Sequence, residues 1–70
     1  MTTTLQDTVD NLVTEILEYD SDTWNSKANN VTKEQAENIA ASLIFNCVTE
    51  DIDGIMIQDC YENLEFENND

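Results

Sequence analysis

The sequence predicts an all-α fold: a compact domain of three helices followed by an acidic C-terminal tail. Two observations indicate this class. Apolar residues recur at spacings of three and four in three separate stretches, and helix-start signals precede these stretches. The predicted helices span about 4–19, 32–48 and 51–64. A chain of 70 residues is long enough for one small domain, so residues 1–70 are expected to form a single acidic helical unit.

The stretch 32–48 is predicted to be the central helix. Thr32 and Gln35 form a T-x-x-Q capping box, in which each side chain satisfies a backbone N–H of the other residue. Phe45 lies off the apolar stripe, which indicates neighbours on more than one side. The stripe itself consists of Ala36, Ile39, Ala40, Leu43, Ile44, Cys47 and Val48.

The first predicted helix has a similar start signal, because Thr3 and Gln6 repeat the capping-box spacing. The pattern ends near Tyr19, and the Asp-, Ser- and Asn-rich segment 20–30 is predicted to be a loop or short turn. The apolar stripe of this helix consists of Leu5, Val9, Leu12, Val13, Ile16 and Leu17.

Trp24 is the one large apolar residue of the segment 20–30. The first interpretation is a lid side chain that packs over a small core, because aromatic burial dominates small domains. The second interpretation is an apolar anchor for a partner, since Trp is enriched at binding hot spots.

The third predicted helix has Thr49 or Asp51 as its N-cap. Its apolar positions follow at steps of four, and Ile57 and Tyr61 widen the stripe. The alternative prediction for residues 55–57 is a short strand. The residues at steps of four are Ile52, Met56, Cys60 and Leu64.

The charge excludes several classes of partner. Sixteen acidic residues and two lysines, Lys27 and Lys33, give a net charge of −14. Such a chain repels nucleic acid and anionic membrane surfaces and attracts basic protein surfaces. The chain also has no membrane-length apolar run and no signal-like start, so we expect a cytoplasmic protein, in the host cytoplasm if the source is viral.

Catalysis and cofactor binding are not expected. The chain has no histidine or arginine, and Cys47 and Cys60 fall on apolar stripes, where reduced, inert thiols are expected. The segment 51–54 resembles the middle of a calcium-binding EF-hand loop. That alignment places Thr49 and Cys60 at its two essential carboxylate positions, so no metal site is predicted. An acyl-carrier role is also disfavoured, because no serine has the Asp-Ser-Leu context at a helix start.

The acidic residues form two rows that we predict to be the partner-binding surface. Side chains three or four positions apart on a helix stand about 5–6 Å from one another, so such a row approximates a line of phosphates. The first row is Asp7, Asp10, Glu15 and Glu18, continuing into Asp20 and Asp22. The second row is Glu50, Asp51, Asp53, Asp59, Glu62, Glu65 and Glu67.

In size, charge and helical acidic rows the chain resembles the small DNA-mimic inhibitors that bacteriophages encode against host restriction, CRISPR, repair or transcription proteins. The resemblance implies a non-catalytic inhibitor that occupies the basic nucleic-acid-binding surface of a target protein. The alternative is a small acidic assembly protein that acts through its apolar surface as a homodimer or adaptor. The candidates for that surface are Phe45, Ile55, Tyr61 and Phe66.

Overall fold

The computed structural model describes residues 5–64, and this part of the chain is mostly helical and contains no strand. The helices are α1 (Leu5–Glu18), α2 (Ser26–Asn29), α3 (Lys33–Phe45) and α4 (Gly54–Leu64). The all-α class is therefore confirmed, whereas the count of three helices is wrong for these residues. The predicted cap at Thr3 and the predicted acidic tail beyond Leu64 lie outside the described residues.

Helix α3 is central, as predicted, because it packs against both α1 and α4. The capping box forms: the Gln35 backbone N–H donates to Thr32 Oγ1 at 3.1 Å, and the Thr32 N–H donates to Gln35 Oε1 at 3.0 Å. The buried face is the predicted one. The position of Phe45 off the stripe indicated a helix packed on more than one side. Phe45 itself does not make the second contact, because its side chain is 88% exposed.

Helix α3 ends at Phe45 rather than at Val48, where the apolar stripe ends. Cys47 adopts a left-handed conformation with φ of 65°, which reverses the chain direction. The Val48 N–H then donates to the Leu43 carbonyl and the Cys47 N–H to the Ile44 carbonyl, both at 2.8 Å. This pair of bonds is a Schellman motif. Val48 still packs against the core, but from the connection rather than from the helix.

The predicted loop 20–30 contains the short helix α2, which packs against α1. Asn25 caps this helix by accepting the Ala28 N–H at 2.8 Å, and Asn30 ends it in a left-handed conformation with φ of 55°. A buried hydroxyl attaches α2 to α1, because Ser26 Oγ donates to the Leu17 carbonyl. Four residues carry too little periodicity for the hydrophobic pattern to predict such a helix.

The tight segment before α2 carries Trp24 into the core. Ser21 holds the segment, since its N–H donates to the Trp24 carbonyl at 2.7 Å and its hydroxyl accepts the Trp24 N–H at 2.9 Å. The Trp24 ring is only 1% exposed and lies against the Tyr61 ring of α4, with centroids 5.2 Å apart. The prediction that Trp24 packs over the core is confirmed.

Helix α4 begins at Gly54, three residues later than predicted, and residues 55–57 are helical rather than a strand. Neither Thr49 nor Asp51 is seen to cap it; Asp53 Oδ1 accepts the Met56 N–H at 2.9 Å. The buried face is formed by Gly54, Ile57 and Cys60. Ile57 and Cys60 of the predicted stripe are buried, whereas Met56 and Leu64 are 36% and 38% exposed. Met56 lies at the edge of the buried face, and Leu64 is the last residue of the helix.

Candidate partner-binding surface

The solvent face of α1 carries the first acidic row. Asp7, Asp10, Glu15 and Glu18 are all exposed, and at 100° per residue they fall within an arc of about 140°. The opposite face is buried and consists of Leu12, Val13 and Ile16. Burial of this apolar face therefore fixes the direction in which the four carboxylates point.

The α1 face is continuous and entirely polar. Between the acidic residues lie only Asn11 and Thr14, both exposed, and the Thr14 hydroxyl donates to the Asp10 carbonyl at 3.1 Å. Gln6 Nε2 donates to Asp10 Oδ1 at 2.9 Å. That bond restrains one carboxylate of the row without neutralising its charge.

The row continues past the end of α1 into the segment that leads to α2. Asp20 and Asp22 are exposed, and Asp20 Oδ1 accepts Asn25 Nδ2–H at 2.6 Å across an isolated antiparallel bridge between these two residues. The fold thus restrains the Asp20 carboxylate at the end of the helical row.

The second row does not lie on one helix. Glu50, Asp51 and Asp53 occupy the connection between α3 and α4. Asp51 has a left-handed φ of 57°, and the Asp53 carboxylate caps α4. The predicted start of the helix at residue 51 was therefore wrong, and these three residues do not share the helical spacing that suggested a row.

Asp59 and Glu62 are the members of the second row that do lie on a helix within the described residues. Both are exposed on α4, and Glu62 Oε2 accepts Gln58 Nε2–H at 2.7 Å. Ile55, which lies on the same outward face, is 69% exposed. The α4 face is therefore mixed in character, unlike the α1 face. Glu65 and Glu67 lie outside the described residues.

Within residues 5–64, two acidic residues fall outside both rows, and they are exposed or half-buried. Glu34 is in the first turn of α3, where a carboxylate interacts favourably with the helix dipole, and Glu37 lies one turn further on.

Trp24 does not present a surface for a partner, because its ring is buried beneath α4. Its indole N–H is also buried and has no hydrogen-bond partner. Burial of an unpaired N–H opposes the packing of the ring, although the large apolar area of the indole outweighs that cost.

The two thiols occupy different environments, and both are free. Cys60 is buried in the core, as predicted. Cys47 is exposed, which corrects its assignment to the apolar stripe. The correction follows from the early end of α3, because the left-handed turn at Cys47 directs its side chain away from the helix face.

A pocket of about 90 Å³ lies beside the end of α1, where the chain turns toward α2. Sites for small molecules are typically about 300–1,000 Å³, so this pocket does not accommodate a metabolite. The residues that line it are Leu17, Glu18, Tyr19, Asp20, Asn25, Ser26 and Lys27.

In residues 5–64, no three side chains of the His, Cys, Asp and Glu types are grouped so that they could hold a metal ion. Across the same range, no helix has both the length and the apolar character needed to cross a bilayer. No protein-family model, curated protein or solved structure matches the chain.

Proposed function

We propose that this protein is a non-catalytic inhibitor whose acidic α1 face occupies the basic nucleic-acid-binding surface of a target protein. The target class is a host defence or DNA-transaction protein, and the inhibitor is of the kind that phages encode. In this proposal the carboxylates replace nucleic-acid phosphates. The observation that carries the proposal is the continuous, exclusively polar and acidic face of α1.

The spacing of the α1 carboxylates supports the comparison with phosphates. From Asp7 to Glu18 the helix rises about 16.5 Å at 1.5 Å per residue. One DNA strand carries about five phosphates over that length at 3.4 Å each. The four carboxylates of α1 thus supply about four-fifths of the charge density of one strand, before the two Asp residues of the following turn are counted.

The placement of Glu18 supports a role beyond stabilisation of the helix. Glu18 is the last residue of α1, and no basic residue lies in the last turn. A carboxylate at a helix C-terminus opposes the macrodipole and costs about 0.3–1 kcal/mol. A basic partner offsets this cost when it binds.

The experiment that tests the proposal compares the wild-type protein with the double variant Glu15→Lys/Glu18→Lys. The protein is immobilised, incubated with bacterial lysate at low salt, and eluted with duplex DNA or, separately, with salt alone. We expect the wild type to retain one or a few nucleic-acid-binding proteins that DNA displaces. We expect the variant to lose them, since an affinity that depends on a placed row is abolished by reversing half of that row.

The matched control is Glu34→Lys/Glu37→Lys on α3. Each double variant changes the net charge from −14 by the same +4, to −10. The control places lysines near a helix N-terminus, where they destabilise, whereas the α1 variant places them toward a C-terminus, where they stabilise. Unfolding therefore does not explain a loss confined to the α1 variant. Equal loss in both variants, or DNA that displaces nothing, would refute the proposal.

The second candidate function is that of a small acidic assembly protein that forms a homodimer through apolar surface. The observation that favours it is Phe45, whose side chain is 88% exposed at the end of α3. Salt distinguishes the two functions, because higher ionic strength weakens an electrostatic complex and leaves an apolar one intact or tighter. Sedimentation velocity of the wild type and of Phe45→Ser tests the dimer directly.

A further inference from the structure

The outward face of α4 combines apolar and acidic side chains in one short ridge. Ile55 is 69% exposed and Met56 is 36% exposed. At 100° per residue, Ile55, Asp59 and Glu62 fall within an arc of about 60°. The buried face, which includes Ile57 and Cys60, points elsewhere. Ile55 therefore lies beside carboxylates, whereas Met56, about 100° away around the helix, lies at the border with buried Cys60.

Hydrogen bonds restrain one carboxylate at the start of α4 and another near its end. Toward the start of α4, Asp53 Oδ1 accepts the Met56 N–H at 2.9 Å. Two turns further on, Glu62 Oε2 accepts Gln58 Nε2–H at 2.7 Å. Asp59 lies between them, one turn after Ile55. Along the helix axis, Ile55 therefore has one carboxylate before it and two after it.

Charge complementarity decides which kind of molecule fits this ridge. A second copy of the chain brings another −14 of charge and the same carboxylates, which repel these. Anionic lipid and nucleic acid are repelled in the same way. A protein segment with apolar side chains flanked by Lys or Arg places its apolar part on Ile55 and Met56 and its cations on the carboxylates.

We propose that the α4 ridge, formed by Ile55, Asp59 and Glu62 with Met56 at its border and Asp53 just before the helix, docks a basic amphipathic segment of a partner protein. This surface is separate from the α1 face and goes beyond the function proposed above. The apolar residue adds binding free energy that does not depend on charge. Burial of apolar side chains therefore keeps contributing at salt concentrations that screen the carboxylates.

The test uses a defined probe: an 18-residue, fluorescein-labelled amphipathic helical peptide of Leu and Lys, titrated with the full chain at 150 mM salt. Fluorescence anisotropy gives the affinity for the wild type, for Ile55→Ser and for the control Leu5→Ser. The control is well matched, because Leu5 is 67% exposed but lies on α1. Circular dichroism establishes that both variants fold. A second peptide, in which every Leu is replaced by Ser, keeps the charge and removes the apolar face.

We expect saturable binding of the Leu/Lys peptide by the wild type and a loss of about tenfold in Ile55→Ser, the size expected for burial of most of one Ile side chain. Leu5→Ser changes the affinity by less than about twofold on the same grounds. Equal binding of the Ser/Lys peptide would overturn the proposal, since charge alone would then explain it. Unchanged binding by Ile55→Ser would also overturn it. So would a homodimer that Ile55→Ser dissociates, because the occupant would then be a second copy. The comparison of Ile55→Ser with Leu5→Ser leaves the α1 carboxylates unchanged, so its outcome is separate from that of the α1 proposal.

Discussion

Replacement of Cys47 by glycine should stabilise the protein. Cys47 is in the left-handed region with φ of 65°, at the position of the Schellman motif where glycine is usual. An L-residue with a Cβ atom pays about 1–2 kcal/mol to adopt this conformation, and glycine does not. The side chain is exposed, so its removal sacrifices little packing.

The expected gain is the difference between two terms. Relief of the left-handed conformation contributes about 1–2 kcal/mol. The greater freedom of glycine in the unfolded chain removes about 0.4–1 kcal/mol of this. The net stabilisation therefore lies between about 0 and 1.6 kcal/mol. Its midpoint of about 0.8 kcal/mol raises the Tm of a domain of this size by about 3–6 °C.

Thermal unfolding followed by circular dichroism, under reducing conditions, measures the effect. Cys47→Ala is the first control, because it removes the thiol and keeps the Cβ atom, so its Tm should stay close to that of the wild type. Ala41→Gly is the second control, because it places glycine at an exposed position inside α3 and should cost about 1 kcal/mol. A Cys47→Gly variant that melts no higher than Cys47→Ala would refute the reasoning.

Three further measurements test other parts of the fold. Gly54→Ala should lower the free energy of unfolding by about 1–3 kcal/mol, because a Cβ atom there collides with Ser21 Oγ and lies 3.0 Å from Thr23 Cβ. A Tm equal to that of the wild type would show that the 21–24 segment moves aside at no cost in stability. Thr32→Ala should cost about 1 kcal/mol through loss of the capping box, and Thr32→Ser should not, as chemical denaturation would show. An increase in salt from 10 mM to 1 M shortens the Debye length from about 30 Å to 3 Å. This should raise the Tm, because it screens the repulsion among the sixteen acidic residues. A Tm that falls would show that this repulsion does not limit the stability of the fold.

The sequence predicts the existence of α1 and α3 well because each has a long apolar stripe. The capping box at Thr32 also fixes the start of α3 correctly. The end of α3 is mispredicted because Cys47 and Val48 continue the stripe, and local periodicity contains no information about a left-handed residue without glycine. The chain turns there and still buries Val48 partly against the core.

The start of α4 illustrates the same limit for the candidate surfaces. Asp51 and Asp53 are both acceptable caps by residue type. The structure uses Asp53, with Gly54 packed against the Ser21–Trp24 segment. Met56, expected in the core, lies at the surface because the buried face of α4 is centred on Ile57. The acidic face of α1 is predictable because it lies opposite a regular apolar stripe. The mixed face of α4 depends on tertiary contacts that the sequence pattern does not contain.

The burial of Trp24 against Tyr61 has a consequence for spectroscopy. Trp24 is the chain's one tryptophan, and its indole lies in the core, where the turn before α2 meets α4. Its emission therefore reports on the docking of these two parts and shifts to longer wavelength when they separate. A ligand on the solvent face of α1 leaves this fluorophore in the same surroundings. Intrinsic fluorescence thus serves as a reporter of folding, and binding to the acidic helix has to be observed with a dye attached elsewhere.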